Sequence, residues 1–375
     1  MELFDVYPRY DIEPIKGEGC YVWDTTGTKY LDLYCGHAVV SVGHSHPHYV
    51  SKVAEQLSKL GFYSNSVRIS MQEELADKLG ELSGYSSYNL FLCNSGAEAT
   101  ENAMKLASFH TGRKKIIAFD KGFHGRTSLA LEATDNPKIL AKVNQNGNVK
   151  RLPLNDLKSV EKELDETVAG VIVEGIQGIA GVYEPTSEFL NGLKKLCESN
   201  GSLLIVDEVQ SGYGRSGKFF AHQHYGVTPD IITTGKGMGN GFPIGGVLIS
   251  PEIKAWFGML GTTFGGNHLA CAAGLATLEV LEKENLIDNA KQTGEYLISS
   301  LNEIEEVVEV RGKGLMIGVE LEIPSKEVRR QLLFEHHIFT GSSDNPNTVR
   351  LLPPLCLSNN QVDQAVGAIN KLIKS

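Results

Sequence analysis

Two apolar segments of this chain each stop at a charged residue, and this pattern restricts the fold more than any other feature. Ser202–Val206 runs into Asp207, and Ile231–Thr234 runs into Gly235 and Lys236. Short segments rich in Val, Ile and Leu are typical of strands buried on both faces of a parallel sheet. Because parallel strands of an α/β sheet end at a common edge, we expect the carboxylate and the amine to lie close together there.

Apolar segments alternate with amphipathic ones between residues 88 and 250. The spacing of apolar residues predicts helices over Ala97–His110 and Ser187–Ser199. Strands are predicted at Tyr88–Cys93, Lys115–Phe119, Val168–Glu174, Ser202–Val206, Asp230–Thr233 and Ile244–Ile249. Alternation of this kind predicts an α/β domain built from βαβ units.

The C-terminal part of the chain has a different pattern. Long helices are predicted at Gly266–Lys283 and Asp288–Leu301, strands at Val307–Val310 and Leu315–Leu321, and a closing helix at Gln361–Lys374. This order predicts a second, smaller α+β domain. A chain of 375 residues is long enough for two domains that share a cleft.

Composition excludes several classes of partner. The chain has 35 Lys and Arg against 45 Asp and Glu, and a formal charge of -10 disfavours nucleic acid or an anionic membrane as the main partner. Its N-terminus has no basic and apolar signal-peptide pattern, and no apolar run approaches the length of a membrane span. The 6 cysteines are scattered without a C-x-x-C pair, which favours free thiols in a cytoplasmic protein and predicts no metal site.

An acid and a lysine at one sheet edge meet two requirements of pyridoxal phosphate chemistry. The cofactor needs a lysine amine to bind its aldehyde covalently, and it needs a carboxylate to keep the pyridine nitrogen protonated. The positions of Asp207 and Lys236, at the ends of successive strands, suit these two roles. We therefore predict that these two residues are catalytic and that pyridoxal 5'-phosphate is the cofactor.

Two clusters of small and hydroxyl residues precede predicted helices. Ser95, Gly96 and Ala97 follow a strand and begin a helix, where exposed N–H groups and the positive helix end favour a phosphate. Taken alone, the same pattern is more often a simple helix cap. Thr262 and Thr263 form the second cluster, and they are placed to reach a phosphate in a neighbouring subunit.

The segment Gly122–Thr127 follows another predicted strand, again at the same sheet edge. Phe123 offers a face for stacking on a flat ring, and Arg126 offers a bidentate guanidinium for a substrate carboxylate. For an isolated Phe or Arg, core packing or a surface ion pair is the more common role. Their position beside Asp207 and Lys236 favours the functional interpretation.

Three other patterns point to chemistry that we reject. The glycine-rich tract around Lys236 does not match G-x-x-x-x-G-K-[ST], the sequence motif of a nucleotide phosphate loop. Gly212–Gly217 matches G-x-G-x-x-G, but Gly226 and Pro229 interrupt the stretch where the phosphate-binding helix would lie. Three histidines within His44–His48 lack a nearby carboxylate or thiol in sequence, and Pro47 favours a structural turn over a metal site.

Taken together, these residues resemble the class III, fold-type-I pyridoxal-phosphate aminotransferases, in particular the acetylornithine, succinylornithine and ornithine aminotransferases. The resemblance covers nearly the full chain and rests on five ordered blocks. They are Asn94–Ala99, Phe123–Thr127, Asp207–Gln210, Thr234–Lys236 and Thr263–Asn267. The implied fold is a large domain with a mainly parallel seven-stranded sheet between helices, plus a small α+β domain. Implied boundaries are residues 1–40 packing with the small domain, 41–270 for the large domain and 271–375 for the small domain.

The resemblance also implies a homodimer and a role for each site residue. Lys236 binds the cofactor aldehyde, Asp207 the pyridine nitrogen, Gln210 the ring hydroxyl, and Phe123 the ring face. Ser95, Gly96, Ala97 and the partner subunit's Thr263 bind the phosphate. The substrate-binding residues are implied to be Arg126, Thr262, Arg350, Glu174, Tyr7 and His37, with Arg126 and Arg350 holding substrate carboxylates.

The implied reaction moves the distal amine of N2-acetyl-L-ornithine or N2-succinyl-L-ornithine to 2-oxoglutarate. Free ornithine or 4-aminobutyrate as substrate, and a non-catalytic cofactor-binding protein, are the alternatives. Two positions depart from the family pattern. Ile179 stands where the family often has a glutamate that pairs with the second arginine, here Arg350, and His37 stands where the family has a tyrosine or a small apolar residue.

Overall fold

The N-terminal part forms a small sheet and the first helices. The structure is a computed structural model that describes residues 1–374. Its first elements are β1 (Pro14–Glu18), β2 (Tyr21–Asp24), β3 (Lys29–Asp32), α1 (Cys35–Ala38), α2 (Pro47–Lys59) and α3 (Ser70–Ser83). All four residues of α1 have positive φ angles, between 53° and 71°, so this element is a left-handed turn.

A seven-stranded sheet forms the large domain. Its strands are β4 (Asn89–Cys93), β5 (Lys115–Phe119), β6 (Val149–Leu152), β7 (Val168–Glu174), β8 (Leu203–Asp207), β9 (Ile231–Thr234) and β10 (Gly245–Ile249). Their order is β4-β10-β9-β8-β7-β5-β6, and β10 alone is antiparallel to its neighbours. The mainly parallel sheet expected from the sequence is therefore confirmed.

Helices cover this sheet. They are α4 (Gly96–Thr111), α5 (Ser128–Ala133), α6 (Leu157–Glu163) and α7 (Ser187–Asn200). Every residue of β7 and β8 is buried, because apolar clusters lie on both faces of these strands. The continuous apolar sequence of these strands follows from that arrangement, and it aligns their C-terminal ends at one edge.

The C-terminal part begins with two long helices, α8 (His268–Lys283) and α9 (Leu286–Asn302). A three-stranded sheet of β11 (Val307–Lys313), β12 (Met316–Leu321) and β14 (Thr348–Leu351) packs with α10 (Ser325–Phe334) and α11 (Asn359–Ile373). The short strand β13 (Ile338–Phe339) instead pairs in parallel with β3 of the N-terminal sheet. The N-terminal sheet therefore packs with the last third of the chain. The domain boundaries stay a prediction, and the predicted boundary at residue 270 falls inside α8.

No helix within residues 1–374 has both the length and the apolar composition that a membrane span requires.

Candidate active site

The C-terminal edge of the large sheet carries the predicted carboxylate. Asp207 is the last residue of β8 and is buried. One carboxylate oxygen accepts a hydrogen bond from the Val209 N–H at 3.0 Å, and the other lies 2.7 Å from Nδ1 of His124. A buried carboxylate that accepts an imidazole N–H on one side is held in a single orientation, with its charge directed into the site.

His124 is the functional residue that the sequence analysis did not single out. It is buried, and its surroundings act on the imidazole in opposite directions. Burial lowers its pKa, but the hydrogen bond to Asp207 and the charges of Asp207 and Glu174 outweigh burial, so that the pKa is raised above its ordinary value. The histidine therefore holds the Asp207 carboxylate in place through a charge-assisted hydrogen bond. In the sequence, only its position within the Phe123–Thr127 block could have indicated that His124 belongs to the site.

Lys236 lies in a tight turn directly after β9. Its φ angle of 39° lies in the left-handed region, which a residue with a side chain adopts at a cost. A Cβ at the next residue, Gly237, would lie 2.5 Å from the Ser41 hydroxyl, so that position has to be glycine. Loss of hydration lowers the pKa of the Lys236 amine to about 8, an effect that Arg350 reinforces while Asp207 and Glu174 oppose it.

Glu174 ends the neighbouring strand β7 and completes the row of functional groups. Its carboxylate accepts hydrogen bonds from the N–H groups of Phe123 at 2.9 Å and Gly178 at 3.1 Å. Burial, with a smaller contribution from Asp207, raises the pKa of this carboxyl to about 7, although His124 and the two backbone donors oppose the rise. Glu174 therefore holds the Phe123 loop against the sheet edge and titrates near neutral pH.

The beginning of α4 closes one side of the site. The Ser95 hydroxyl caps the helix by accepting from the Glu98 N–H at 3.2 Å, and the first N–H groups of a helix have no partner within it. A Cβ at Gly96 would lie 2.4 Å from the Val209 side chain, so the glycine is what lets the helix end approach. Gly96 and Ala97 line a cavity of 270 Å³ together with Lys236.

These groups fit pyridoxal phosphate. The cavity is lined at one end by the start of a helix, which favours a phosphate, and it also exposes Phe123, Asp207 and Lys236. An aromatic face, a fixed carboxylate and an amine with a lowered pKa are the groups that the ring, its nitrogen and the aldehyde require. The structure thus brings together Ser95, Gly96, Ala97, Phe123, Asp207, Gln210 and Lys236, seven of the eight residues predicted to bind the cofactor.

Three of the six predicted substrate residues line an adjoining cavity, while Glu174 lines the first one. Tyr7, His37 and Arg126 line a space of 450 Å³ that shares Phe123 and Lys236 with the first cavity. His37 is in the left-handed turn α1, where its Nδ1 contacts the Tyr34 hydroxyl. Burial lowers the pKa of His37, and the charges of Lys236, Arg350 and Arg126 lower it further.

Arg350 lies one layer behind this surface. It is 1% exposed, and its guanidinium donates to Oε1 of Gln210 at 3.2 Å and to the Ser342 carbonyl. Among the described residues it forms no ion pair with a carboxylate, and burial lowers its pKa. Glu184, another acid that could have served as the partner of Arg350, instead pairs with Lys313 at 2.8 Å. Ile179, at the position of the usual glutamate, lines both cavities.

Thr262 and Thr263 line neither of the two cavities that contain Lys236. The Thr262 hydroxyl accepts from the Asn94 amide at 3.2 Å and from the Gly265 N–H at 3.1 Å, while Thr263 is exposed. Nearby, Trp256 and Phe257 expose aromatic side chains to solvent.

The three N-terminal histidines each contact a different carboxylate. His44 lies 2.7 Å from Asp32 and His46 lies 2.8 Å from Glu284, while His48 contacts Glu279. No group of His, Cys, Asp and Glu side chains within residues 1–374 has an arrangement that suits a metal ion.

Comparison with known proteins places this fold and site in a family. The chain matches the model of the class III aminotransferases over residues 7–373 and belongs to that family. It is therefore a pyridoxal-phosphate-dependent transaminase, as the residues at the sheet edge indicate.

Individual relatives are similar over almost their whole length. The chain is 44% identical to acetylornithine aminotransferase of Archaeoglobus fulgidus, covering 97% of this chain and 96% of the relative. It is 42% identical to a putative [LysW]-aminoadipate semialdehyde/glutamate semialdehyde transaminase of Pyrococcus furiosus, covering 97% of each. Among solved structures, the ornithine aminotransferase of Toxoplasma gondii with partial occupancy of PLP superposes with a TM-score of 0.91 at 30% identity, covering 99% and 91% of the two chains.

Proposed function

We propose that this chain transfers the distal amino group of an N2-acylornithine, with N2-acetyl-L-ornithine as the first candidate, to 2-oxoglutarate. The products are an N-acyl-L-glutamate 5-semialdehyde and L-glutamate, and the reaction serves arginine biosynthesis. The observation that carries the proposal is the placement of the Lys236 amine in a cavity whose outer wall exposes Arg126. An α-carboxylate bound there leaves the other end of a long substrate facing the amine. The similarity of the chain to the acetylornithine aminotransferase of Archaeoglobus fulgidus supports this choice of substrate.

The chain's residues supply binding and proton transfer. Bound pyridoxal phosphate supplies an aldehyde and a ring that accepts electrons. Asp207, held by His124, would contact the ring nitrogen and favour its protonated form, and Phe123 would cover the ring face. The Lys236 amine would serve as the base that accepts a proton from the carbon bearing the substrate amine and later releases it. Its lowered pKa suits this task because the amine both accepts and releases protons near neutral pH.

The lowered pKa predicts how the cofactor attaches to the protein. Only the neutral amine attacks an aldehyde, so covalent attachment to Lys236 should accelerate about tenfold per pH unit below about pH 8 and level off above it. Stopped-flow absorbance during reconstitution of the cofactor-free protein measures this rate, with a free primary amine as the reference reaction. A rate that continues to rise beyond pH 10, where the amine of an ordinary lysine titrates, would contradict the lowered pKa of Lys236.

Arg126→Lys tests the carboxylate site. Lysine keeps the charge but loses the bidentate geometry, so the KM for acylornithine and the KM for 2-oxoglutarate should rise together by about tenfold. Steady-state kinetics with each substrate varied separately gives both values. Lys121→Arg, at an exposed neighbour on the same loop, is the control. A change in neither KM would remove Arg126 from the binding site.

Ile179→Glu tests the missing partner of Arg350. A glutamate at this position can pair with the guanidinium, and that ion pair then has to open before glutamate binds. We expect kcat/KM for the glutamate half-reaction to fall by roughly tenfold relative to the acylornithine half-reaction. Ile179→Gln is the control of equal size without the charge. A ratio that stays constant, or shifts toward glutamate, would mean that Arg350 does not select the second substrate.

The acyl group is tested by comparing substrates directly. Single-turnover amine transfer from N2-acetylornithine, N2-succinylornithine, ornithine and 4-aminobutyrate separates the alternatives. The proposal expects the largest kcat/KM for one of the two acylated compounds. Faster transfer from free ornithine or 4-aminobutyrate would reassign the substrate and leave the aminotransferase class unchanged.

We further propose a homodimer that shares its active sites and works in the cytoplasm. The exposed Thr263, and the exposed aromatic side chains of Trp256 and Phe257 shortly before it in the sequence, support a surface that meets a second copy. Mixing Lys236→Ala with Thr263→Ala chains tests this arrangement. Hybrid dimers then contain one site with both residues intact, so the mixture at limiting cofactor should be more active than the two variants measured separately. A purely additive activity, or a monomer in sedimentation analysis, would contradict the shared site.

A further inference from the structure

Two cysteines from opposite ends of the chain are in contact outside the active site. The Sγ atoms of Cys20 and Cys356 lie 3.6 Å apart, although 336 positions separate them in the sequence. Cys20 directly precedes β2 of the N-terminal sheet, and Cys356 lies in the segment between β14 and α11. All six cysteines of the described chain are free thiols. The contact therefore joins the first and last parts of the fold through two oxidisable groups.

The backbone on both sides of this contact is fixed by hydrogen bonds. The Cys20 carbonyl accepts from the Asp32 N–H at 2.8 Å, and the Leu355 N–H donates to the Ser41 carbonyl at 2.7 Å. The Asn289 amide also donates to the Leu355 carbonyl at 2.6 Å. The two sulfurs already lie 3.6 Å apart on segments that hydrogen bonds hold in place, so a disulfide needs only a short further approach of the two side chains.

The two thiols differ in exposure and in acidity. Cys20 is 2% exposed, whereas Cys356 is partly open to solvent. The hydrogen bond between them lowers the pKa of Cys356 and raises that of Cys20, and burial raises the pKa of Cys20 further. The nearby Cys35 is fully buried, which raises its pKa well above the ordinary value. The accessible member of the pair is thus also the one that more readily forms the reactive thiolate.

We propose that Cys20 and Cys356 are an oxidation site that forms an intramolecular disulfide by exchange with a low-molecular-weight disulfide. The Cys356 thiolate attacks one sulfur of that disulfide, forms a mixed disulfide and releases one small thiolate. The Cys20 sulfur, on losing its proton, then attacks the Cys356 sulfur and releases the second. Two protein thiols are oxidised, one small disulfide is reduced to two thiols, and the two thiol protons pass to the released thiolates.

This link fastens the N-terminal sheet to the C-terminal segment. Asp32, which binds the Cys20 carbonyl, also accepts from the N–H groups of Tyr34 and Cys35 at the start of the left-handed turn. A covalent bond across so long a stretch of chain restricts the unfolded state strongly. The oxidised protein should therefore unfold at a higher temperature than the reduced protein, by several degrees.

The experiment oxidises the cofactor-loaded protein with oxidised glutathione and maps its peptides without reduction. We expect one peptide pair joined through Cys20 and Cys356, loss of two hydrogen masses from the intact protein, and a raised Tm that a reducing agent reverses. Cys356→Ser and Cys20→Ala should each abolish the joined pair and the rise in Tm. Cys197→Ser, at a buried cysteine of α7, is the matched control and should retain both.

Three results would overturn the proposal. They are a stable glutathione adduct on Cys356 without the joined peptide, a different cysteine pairing, and a Tm that stays constant or falls once the two residues are joined. None of these measurements uses enzymatic activity, so the outcome is independent of the substrate assigned above.

Discussion

Replacing Lys236 by alanine is expected to lower kcat for amine transfer by at least about 10⁴-fold, because no other lysine among residues 1–374 lines the cavity to attach the aldehyde and to move the proton. The variant should still bind pyridoxal phosphate noncovalently, since the start of α4, Phe123 and Asp207 remain. Equilibrium dialysis measures that binding, and single-turnover kinetics measures the transfer. Lys114→Ala, an exposed lysine outside the site, is the control.

Rescue by an added small amine would separate the two roles of Lys236. Partial recovery of transfer with such an amine is expected, because the cavity left by the shortened side chain admits it. Normal turnover of the alanine variant without any added amine would contradict the assignment of Lys236 as the catalytic base.

Asp207→Asn is the second change with a large expected effect. Opposite unit charges about 4 Å apart interact by about 4 kcal/mol at an effective dielectric constant near 20, which corresponds to about three pKa units. An amide lacks that charge, so the ring nitrogen loses its proton at neutral pH and the transfer step should slow by about 10³-fold. The substitution also removes the charged partner of His124.

Rapid-mixing absorbance of one turnover measures this step directly, and circular dichroism confirms that the fold is kept. Asp230→Asn is the matched control, because Asp230 directly precedes the neighbouring strand β9, at the opposite edge of the sheet, and binds Lys194 at 2.7 Å. A slowing of less than tenfold in Asp207→Asn would place the ring nitrogen against another residue.

The central sheet could be predicted because its strands are continuous apolar segments. β7 and β8 are buried on both faces, so their sequences carry the signal without help from distant contacts. The edge strand β6, Val149–Leu152, was missed because it contains two basic residues and is only partly buried. The strands of the N-terminal sheet were missed for a similar reason, since β1 is almost wholly exposed and gains its place from pairing with β2.

The site was predictable only where its residues follow strands. Asp207 and Lys236 stand at strand ends, and their positions follow from the order of parallel strands. The contact of His124 with Asp207 joins residues 83 positions apart, and that of Arg350 with Gln210 spans 140 positions. Such pairs depend on how loops pack over the sheet edge, which no local pattern in the sequence specifies.

The absence of an acid beside Arg350 is a second result that required the structure. The sequence showed only that Ile179 replaces a glutamate, and two other acids, Glu174 and Glu184, lie near that position in the chain. In the structure Glu184 binds Lys313, while Glu174 accepts from two backbone N–H groups. Arg350 is held by Gln210 and the Ser342 carbonyl. A buried guanidinium without a carboxylate partner is suited to accept one from a substrate.

The most direct test of the central claim is to reduce the cofactor-loaded protein with borohydride and locate the pyridoxyl group by peptide mass spectrometry. Reduction fixes the cofactor to the amine that holds it, so the modified residue identifies the catalytic lysine. We predict a single modification, on Lys236, which disappears when substrate amine is added before reduction. A pyridoxyl group on another lysine, or one on Lys236 that substrate amine does not release, would contradict the proposed active site.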